Sequence, residues 1–162
     1  MCSSDLVNVL IVGNSERAEE VATRVATWLV DHGHRPFALA SDASTLGVDS
    51  LHTIVSVGDA GDLGLVVGIG GDGTMLRAVA LLEGARVPVL GVNVGLLGYL
   101  AEVEPTGVET ALARFFAGDV HIESRLVLDV VAASGSATRS WRALNEASLE
   151  KQHAGQTVRL RL

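Results

Sequence analysis

The chain has 162 residues, 48% of them hydrophobic, and a net charge of −7, which allows one domain with a real core, or one plus part of a second, and excludes a disordered chain. Lys151 is the only lysine, so no basic stripe is available for nucleic acid or an anionic membrane surface, and no apolar run is long enough to span a bilayer. The single cysteine, Cys2, excludes an internal disulfide framework and fits a reducing, cytoplasmic setting.

Residues 1–6 (MCSSDL) lack the basic and apolar regions of a signal peptide. The string matches the in-frame translation of a common sequencing-library adapter, so a non-native tail is expected. Residues 7–12 (VNVLIV) read as a buried strand, and Gly13-Asn14-Ser15 as a turn. Asn14 or Ser15 can cap the helix that follows. Its first turns carry Glu16, Glu19 and Glu20, and Ala18, Val21, Ala22, Val25, Trp28 and Leu29 form its inward face. Gly33 ends it.

Residues 35–40 predict a second strand, 41–50 a polar, turn-rich stretch, and 52–57 a weak strand. Asp59 and Asp62 sit in a loop and read as solvated turn residues rather than cation ligands. The five histidines show no metal-ligand spacing and read as surface or loop residues. Residues 63–69 predict a buried strand and 75–83 a helix apolar nearly all round, hence buried. Another buried strand is expected over 87–92, then an apolar, glycine-punctuated loop over 93–100. Thr106 and Glu109 fit a capping box, and Val108, Leu112, Phe115 and Phe116 face inward from the helix behind it. From Asp119 the pattern turns to long β-type stretches, over 122–133, 138–149 and 156–162, which suggest a second, antiparallel region.

The chemistry concentrates between the strand at 63–69 and the helix at 75–83. Gly68-Ile69-Gly70-Gly71-Asp72-Gly73 formally matches the dinucleotide fingerprint G-x-G-x-x-G. A strand feeding a glycine turn into a helix aims free N–H groups at a phosphate, and glycine permits positive φ and close approach. The fingerprint reading conflicts with two residues. The next strand ends Gly91-Val92-Asn93, without the acid that takes a ribose. Asp72 would also face the pyrophosphate; two such charges about 4 Å apart repel by roughly 4 kcal/mol at an effective dielectric of about 20. Phosphoryl transfer to an alcohol uses such a carboxylate, to orient and deprotonate the hydroxyl beside the phosphate donors. A Walker-type loop is excluded, because Lys151 has no glycine loop before it. The bland alternative is a packing turn with Asp72 as helix cap.

Three motifs in order decide the matter: Gly70-Gly71-Asp72-Gly73-Thr74, then Gly91-Val92-Asn93-x-Gly95-x-Leu97-Gly98-Tyr99-Leu100, then Leu144-Asn145-Glu146. Together they resemble the NAD kinase family, actinobacterial-type members most, from about Val7 to Leu162. The turn alone is shared with lipid kinases. The resemblance implies an α/β, Rossmann-like domain with a mainly parallel sheet over 7–119, and the beginning of a β-rich NAD-binding domain, cut off, over 120–162. It implies that Asp72 takes the proton of the adenosine-ribose 2′-hydroxyl of NAD as that oxygen attacks the γ-phosphorus of ATP. Gly70, Gly71, Gly73 and Thr74 then belong to the phosphate-facing turn and NAD site. Arg77 matches a basic ligand-contacting position, the alternative being a salt bridge, for example with Glu83. Asn145 and Glu146 match the pair that holds the NAD adenosine portion.

Tyr99 stands for a commoner Phe and can pack against adenine or in the core. Leu96 replaces a polar residue, and Gln156 stands where a basic residue often sits. ATP or polyphosphate is the implied donor, with Mg²⁺ or another divalent cation carried on the nucleotide and no metal site of the chain's own. NAD and ATP are the implied partners, and a dimer or tetramer the implied assembly of the full-length protein. A lipid or small-alcohol kinase sharing the turn, or a non-catalytic dinucleotide-binding module, are the alternatives. The family's Thr/Ser/Gly-rich stretch that closes the NAD site has no counterpart here, and the last strands are expected to leave open edges prone to association. The 162-residue chain alone is therefore predicted to lack appreciable kinase activity, because positioning is most of phosphoryl-transfer catalysis. Robust ATP-dependent NADP formation by the purified chain would refute this.

Overall fold

A computed structural model describes residues 6–13, 15–95, 98–134, 136–144 and 146. It divides into two compact units, Met1–Glu123 and Ser124–Leu162.

In the first unit, β1 (Asn8–Val12), β2 (Arg35–Leu39), β3 (His52–Ile54), β4 (Leu63–Gly70) and β5 (Val89–Asn93) form one parallel sheet in the order β3-β2-β1-β4-β5. The chain builds outward from β1 to β3, then crosses back to place β4 on the other side of β1. That reversal opens a crevice at the C-terminal ends of β1 and β4, the place where ligands bind in open α/β sheets.

Alternation along the strands splits the core in two. Val9, Ile11, Val67 and Ile69 face α1 (Glu16–Asp31), α2 (Ala40–Leu46) and α4 (Val108–Phe116). Leu10, Val12, Val66 and Ile54 face α3 (Asp72–Leu81). The resulting three-layer, Rossmann-like domain matches the expectation from sequence. The interior face of α1 is the expected one, with Ala18, Val21, Ala22, Val25 and Leu29 all buried. The second unit is described only as an antiparallel hairpin, β6 (Leu128–Ser134) with β7 (Ala137–Ala143), pairing Val130 with Trp141 and closing an Asp129–Arg142 ion pair at 3.1 Å. The third expected strand, 156–162, lies outside the described residues.

Five local expectations change. The turn-rich stretch after β2 is helical: α2 has no apolar period to announce it and is held by Leu46 in the core and by its Asp42. α3 is half exposed rather than buried, with Leu76 39% accessible, because only one of its sides meets the sheet. The capping box at Thr106 does not form. Pro105–Gly107 is a 3₁₀ turn, Gly107 caps α4 without a side-chain bond, and Glu109 reaches Arg24 of α1 instead (Nε to Oε1, 2.7 Å). That bidentate contact pulls the Glu109 carboxyl below its usual range and raises Arg24. Asp59, expected in a plain loop, closes a capping box with Ser56 at the 3₁₀ turn Val57–Ala60. The backbone N–H of Ser56 (2.8 Å) and the Ser56 side chain hold the Asp59 carboxyl below its usual value.

The fifth is His34, read with the other histidines as a surface or loop residue: it stands in the loop before β2 but is only 7% exposed. Its ring stacks on Phe116 with centroids 3.9 Å apart, while Trp28 stacks on His32 at 3.8 Å. His34 Nδ1 has no partner among the described residues. Burial, then the neighbouring His32, lowers the His34 pKa. The unfolded chain therefore takes up a proton on His34 at a higher pH than the folded chain. Stability from this site is full above the unfolded value of about 6.5 and is lost as pH falls through the lower folded value. The melting temperature should drop between pH 7.5 and pH 5.5, and drop less in His34→Phe; identical drops in the two proteins would count against the assignment.

Candidate functional site

Asp72 is the first residue of α3, and Gly71 is its cap in extended conformation. The Asp72 side chain does not cap its own helix. Its Oδ1 accepts the backbone N–H groups of Tyr99 and Leu100, both at 2.9 Å. Two charge-assisted bonds to one oxygen fix the carboxylate and draw the loop after β5 against the start of α3. Among the described residues, Oδ2 has no partner, so one oxygen faces outward with its acceptor capacity unused.

The glycines of the turn have different duties, and none of Gly68, Gly70, Gly71 or Gly73 has positive φ. The positive φ that glycine permits is not used here: the chain leaves β4 in extended and helical conformations. Gly70 is required by packing, because a Cβ there would collide with Thr74 Oγ1 and lie 2.6 Å from Thr74 Cβ. Gly68 and Gly91, side by side in β4 and β5, lie under Met75 of α3. A Cβ on Gly91 would stand 2.7 Å from Met75 Sδ and 2.8 Å from Ala101 Cα. Gly71 and Gly73 are different. A Cβ at either would meet no described atom within 4 Å, so nothing within the described fold demands glycine there. Open space flanks Asp72 on both sides.

Gly71 also borders a cleft of about 510 Å³, lined by Ser15, Glu16 and Arg17 at the start of α1, Gly70, Gly71 and Thr74 at the turn, and Val94 and Gly95 beyond β5. Two helix N-termini, of α1 and α3, open onto it, an arrangement that favours an anion. Ser15 and Arg17 were not singled out by sequence; Ser15 read only as a cap, and it makes no side-chain cap bond.

Arg77 lies one turn along α3 and pairs with Asp42, not Glu83. Nη1 donates to Oδ2 at 2.8 Å and Nη2 to Oδ1 at 2.6 Å. Asp42 is 1% exposed and also accepts the backbone N–H of Gly13 (3.2 Å) and the Ser41 hydroxyl (2.9 Å). The hydrogen bonds that Arg77 donates to Asp42 raise its own pKa. Asp42 was invisible in the sequence, because an acid among serines after a strand reads as a solvated turn. Tyr99 is 84% exposed, which removes the ordinary-core alternative for its ring. Asn145 and Leu96 lie outside the described residues, and Glu146 is exposed in the second unit. Among the described residues, no three His, Cys, Asp or Glu side chains group to hold a metal, and no helix is long and apolar enough to cross a membrane.

The fold and the turn define a Rossmann-like α/β domain whose ligand edge presents a fixed carboxylate beside an anion-favouring cleft. A family model described as the ATP-NAD kinase N-terminal domain matches residues 9–120. The chain belongs to the NAD kinase family. It is similar to the NAD kinase of Mycobacterium tuberculosis (strain CDC 1551 / Oshkosh), 40% identical over 143 residues that cover 87% of this chain and 45% of that protein. The NAD kinase of Leifsonia xyli subsp. xyli is 36% identical over 158 residues, covering 88% of this chain and 50% of its own length. The chain thus spans about half the length of the curated relatives it matches. Among solved structures, yeast NADH kinase complexed with NADH superposes with a TM-score of 0.73 at 21% identity, over 86% of this chain and 47% of that one, which supports the fold.

The Asp42–Arg77 pair yields an asymmetric prediction. Arg77→Met strands a buried carboxylate and should cost about 3 kcal/mol. Asp42→Asn leaves Arg77, a third exposed, free to turn to water, and should cost clearly less. Urea denaturation of both variants checks this; equal, small losses would show that the pair constrains nothing.

Proposed function

We propose that the longer protein containing this chain phosphorylates the adenosine-ribose 2′-hydroxyl of NAD, giving NADP, with ATP as donor and polyphosphate as the alternative donor. The observation that carries this reading is Asp72: a carboxylate fixed through one oxygen by two N–H groups, with its other oxygen unpartnered among the described residues and open space at Gly71 and Gly73. A general base needs this arrangement, held in place yet able to accept a proton. Oδ2 accepts the proton of the ribose hydroxyl, and the oxygen so freed bonds to the γ-phosphorus while the bond to the β-γ bridging oxygen breaks.

The phosphates of the donor lie over Gly70, Gly71, Gly73 and Thr74, where the N-termini of α3 and α1 and the Arg17 side chain offset their charge. A divalent cation, Mg²⁺ in the first instance, arrives on the nucleotide and neutralises phosphate charge; the described residues bring no three-ligand cluster to hold one. The exposed ring of Tyr99 stands ready to pack on the NAD adenine, and Asn145 with Glu146 holds the adenosine portion from the β-rich domain beginning near residue 120. Arg77 contributes through the pair it makes with Asp42, which fixes its guanidinium at the edge where ligands arrive. The reading includes a cytoplasmic setting and a dimeric or tetrameric full-length protein.

In the full-length protein, Asp72→Asn should lower kcat by roughly 10²–10⁴-fold while NAD affinity changes little. Unchanged turnover would remove the base role and favour a non-catalytic dinucleotide-binding module. Phosphorylation of a lipid or small alcohol, with none of NAD, would move the reading to the related kinases that share the turn.

A further inference from the structure

Asn93, at the end of β5, occupies the place where a dinucleotide fold would carry its ribose-binding acid, and the phosphoryl-transfer reading gives it no task. It stands beside Gly70 in the register of β4 and β5, next to the strand end that leads into the glycine turn. Both arms of the loop after β5 are tied at this one residue. Its backbone N–H donates to the carbonyl of Val103 on the returning arm at 2.9 Å, and its side-chain Oδ1 accepts the N–H of Gly95 on the outgoing arm at 3.0 Å. The second bond closes an Asx turn, in which the side chain stands in for a backbone carbonyl. The N–H of the neighbouring Val94 donates to the Gly70 carbonyl at 3.3 Å, so the loop leaves the sheet against the glycine turn itself.

We infer that Asn93 is a positioning residue for the phosphoryl transfer: it sets the course of the loop whose N–H groups hold Asp72. The inference rests on the reading of Asp72 as the base. The loop has little else to fix it. Gly95 and Gly98 leave its backbone the widest conformational choice, and the ring of Tyr99 is exposed rather than packed in the core. Gly98 shows how closely the parts are coupled. A Cβ there would lie 3.3 Å from Asp72 Oδ1 and 3.7 Å from Asn93 Oδ1, so the two side chains meet the loop at the same point. The next two residues, Tyr99 and Leu100, donate the N–H groups that engage Asp72 Oδ1. With the Asx turn closed, the loop arrives with both N–H groups on one oxygen and leaves the other for the hydroxyl. With the turn open, Gly95 is released, and the carboxylate loses the fixed aim that a general base needs. Asn93 thus acts on the reaction through Asp72 and touches neither the phosphates nor the hydroxyl.

Kinetics of the full-length protein and NMR of the 162-residue chain test the inference. Asn93→Ala should lower kcat roughly ten- to a hundredfold while the KM values for NAD and ATP stay within about twofold. Asn93→Ser, whose hydroxyl closes the same kind of turn more weakly, should recover part of the loss. Asn93→Ala combined with Asp72→Asn should be no slower than Asp72→Asn alone, because a residue acting through Asp72 then has nothing left to position. In the 162-residue chain, the amide protons of Tyr99 and Leu100 should shift in Asn93→Ala as they do in Asp72→Asn, and unmoved amides in β1 and α1 show that the variant folds. A raised KM with unchanged kcat would make Asn93 a substrate contact, and losses that add in the double variant would make it independent of Asp72. Either result, or unshifted Tyr99 and Leu100 amides, overturns the inference while the base reading stands. Full turnover by Asp72→Asn removes the base reading and this inference with it.

Discussion

The ligand edge of this domain depends on one buried ion pair. Asp42 of α2, shut away from water, takes both ends of the Arg77 fork from α3 and the N–H of Gly13 at the end of β1. Three segments that are distant in sequence are thereby tied at the point where the strand order reverses. A buried carboxylate is tolerable only with such partners, because desolvation would otherwise drive it to neutrality or unfold the site. The pair fixes where α3 begins relative to β1, and so where the N–H groups and Asp72 at its first turn stand.

From that anchor the remaining geometry follows by close packing. α3 can lie low on the sheet because Gly68 and Gly91 give it no side chain to climb over, and Met75 fills the space. The loop after β5 returns over the same strands, with Val103 bridging Val92 and Ala101 resting on Gly91. It ends its approach by donating two N–H groups to Asp72. The carboxylate that first looked out of place in a phosphate turn is thus the tether of a loop as well as the proposed base. One oxygen serves each purpose.

Apart from α2, the strands and helices of the first unit, the parallel sheet and the family motif were legible in the sequence, because each rests on local patterns: apolar runs, the 3.6-residue period of α1, and a glycine turn between a strand and a helix. Gly71, Asp72 and Gly73 could be singled out for the same reason. The partners of Asp72 and Arg77 could not be, since both bonds are made to residues about thirty positions away, in a loop with no period and in a short helix disguised as a polar turn. The burial of His34 in its loop was hidden on the same grounds: a lone polar residue carries no sign of the aromatic rings that will cover it. Sequence alone singled out Asp72 as the carboxylate of the glycine turn. Only the tertiary structure decided which of its oxygens is engaged, which glycines serve packing and which leave room, and which charge holds Arg77, because those are facts of long-range contact and of empty space.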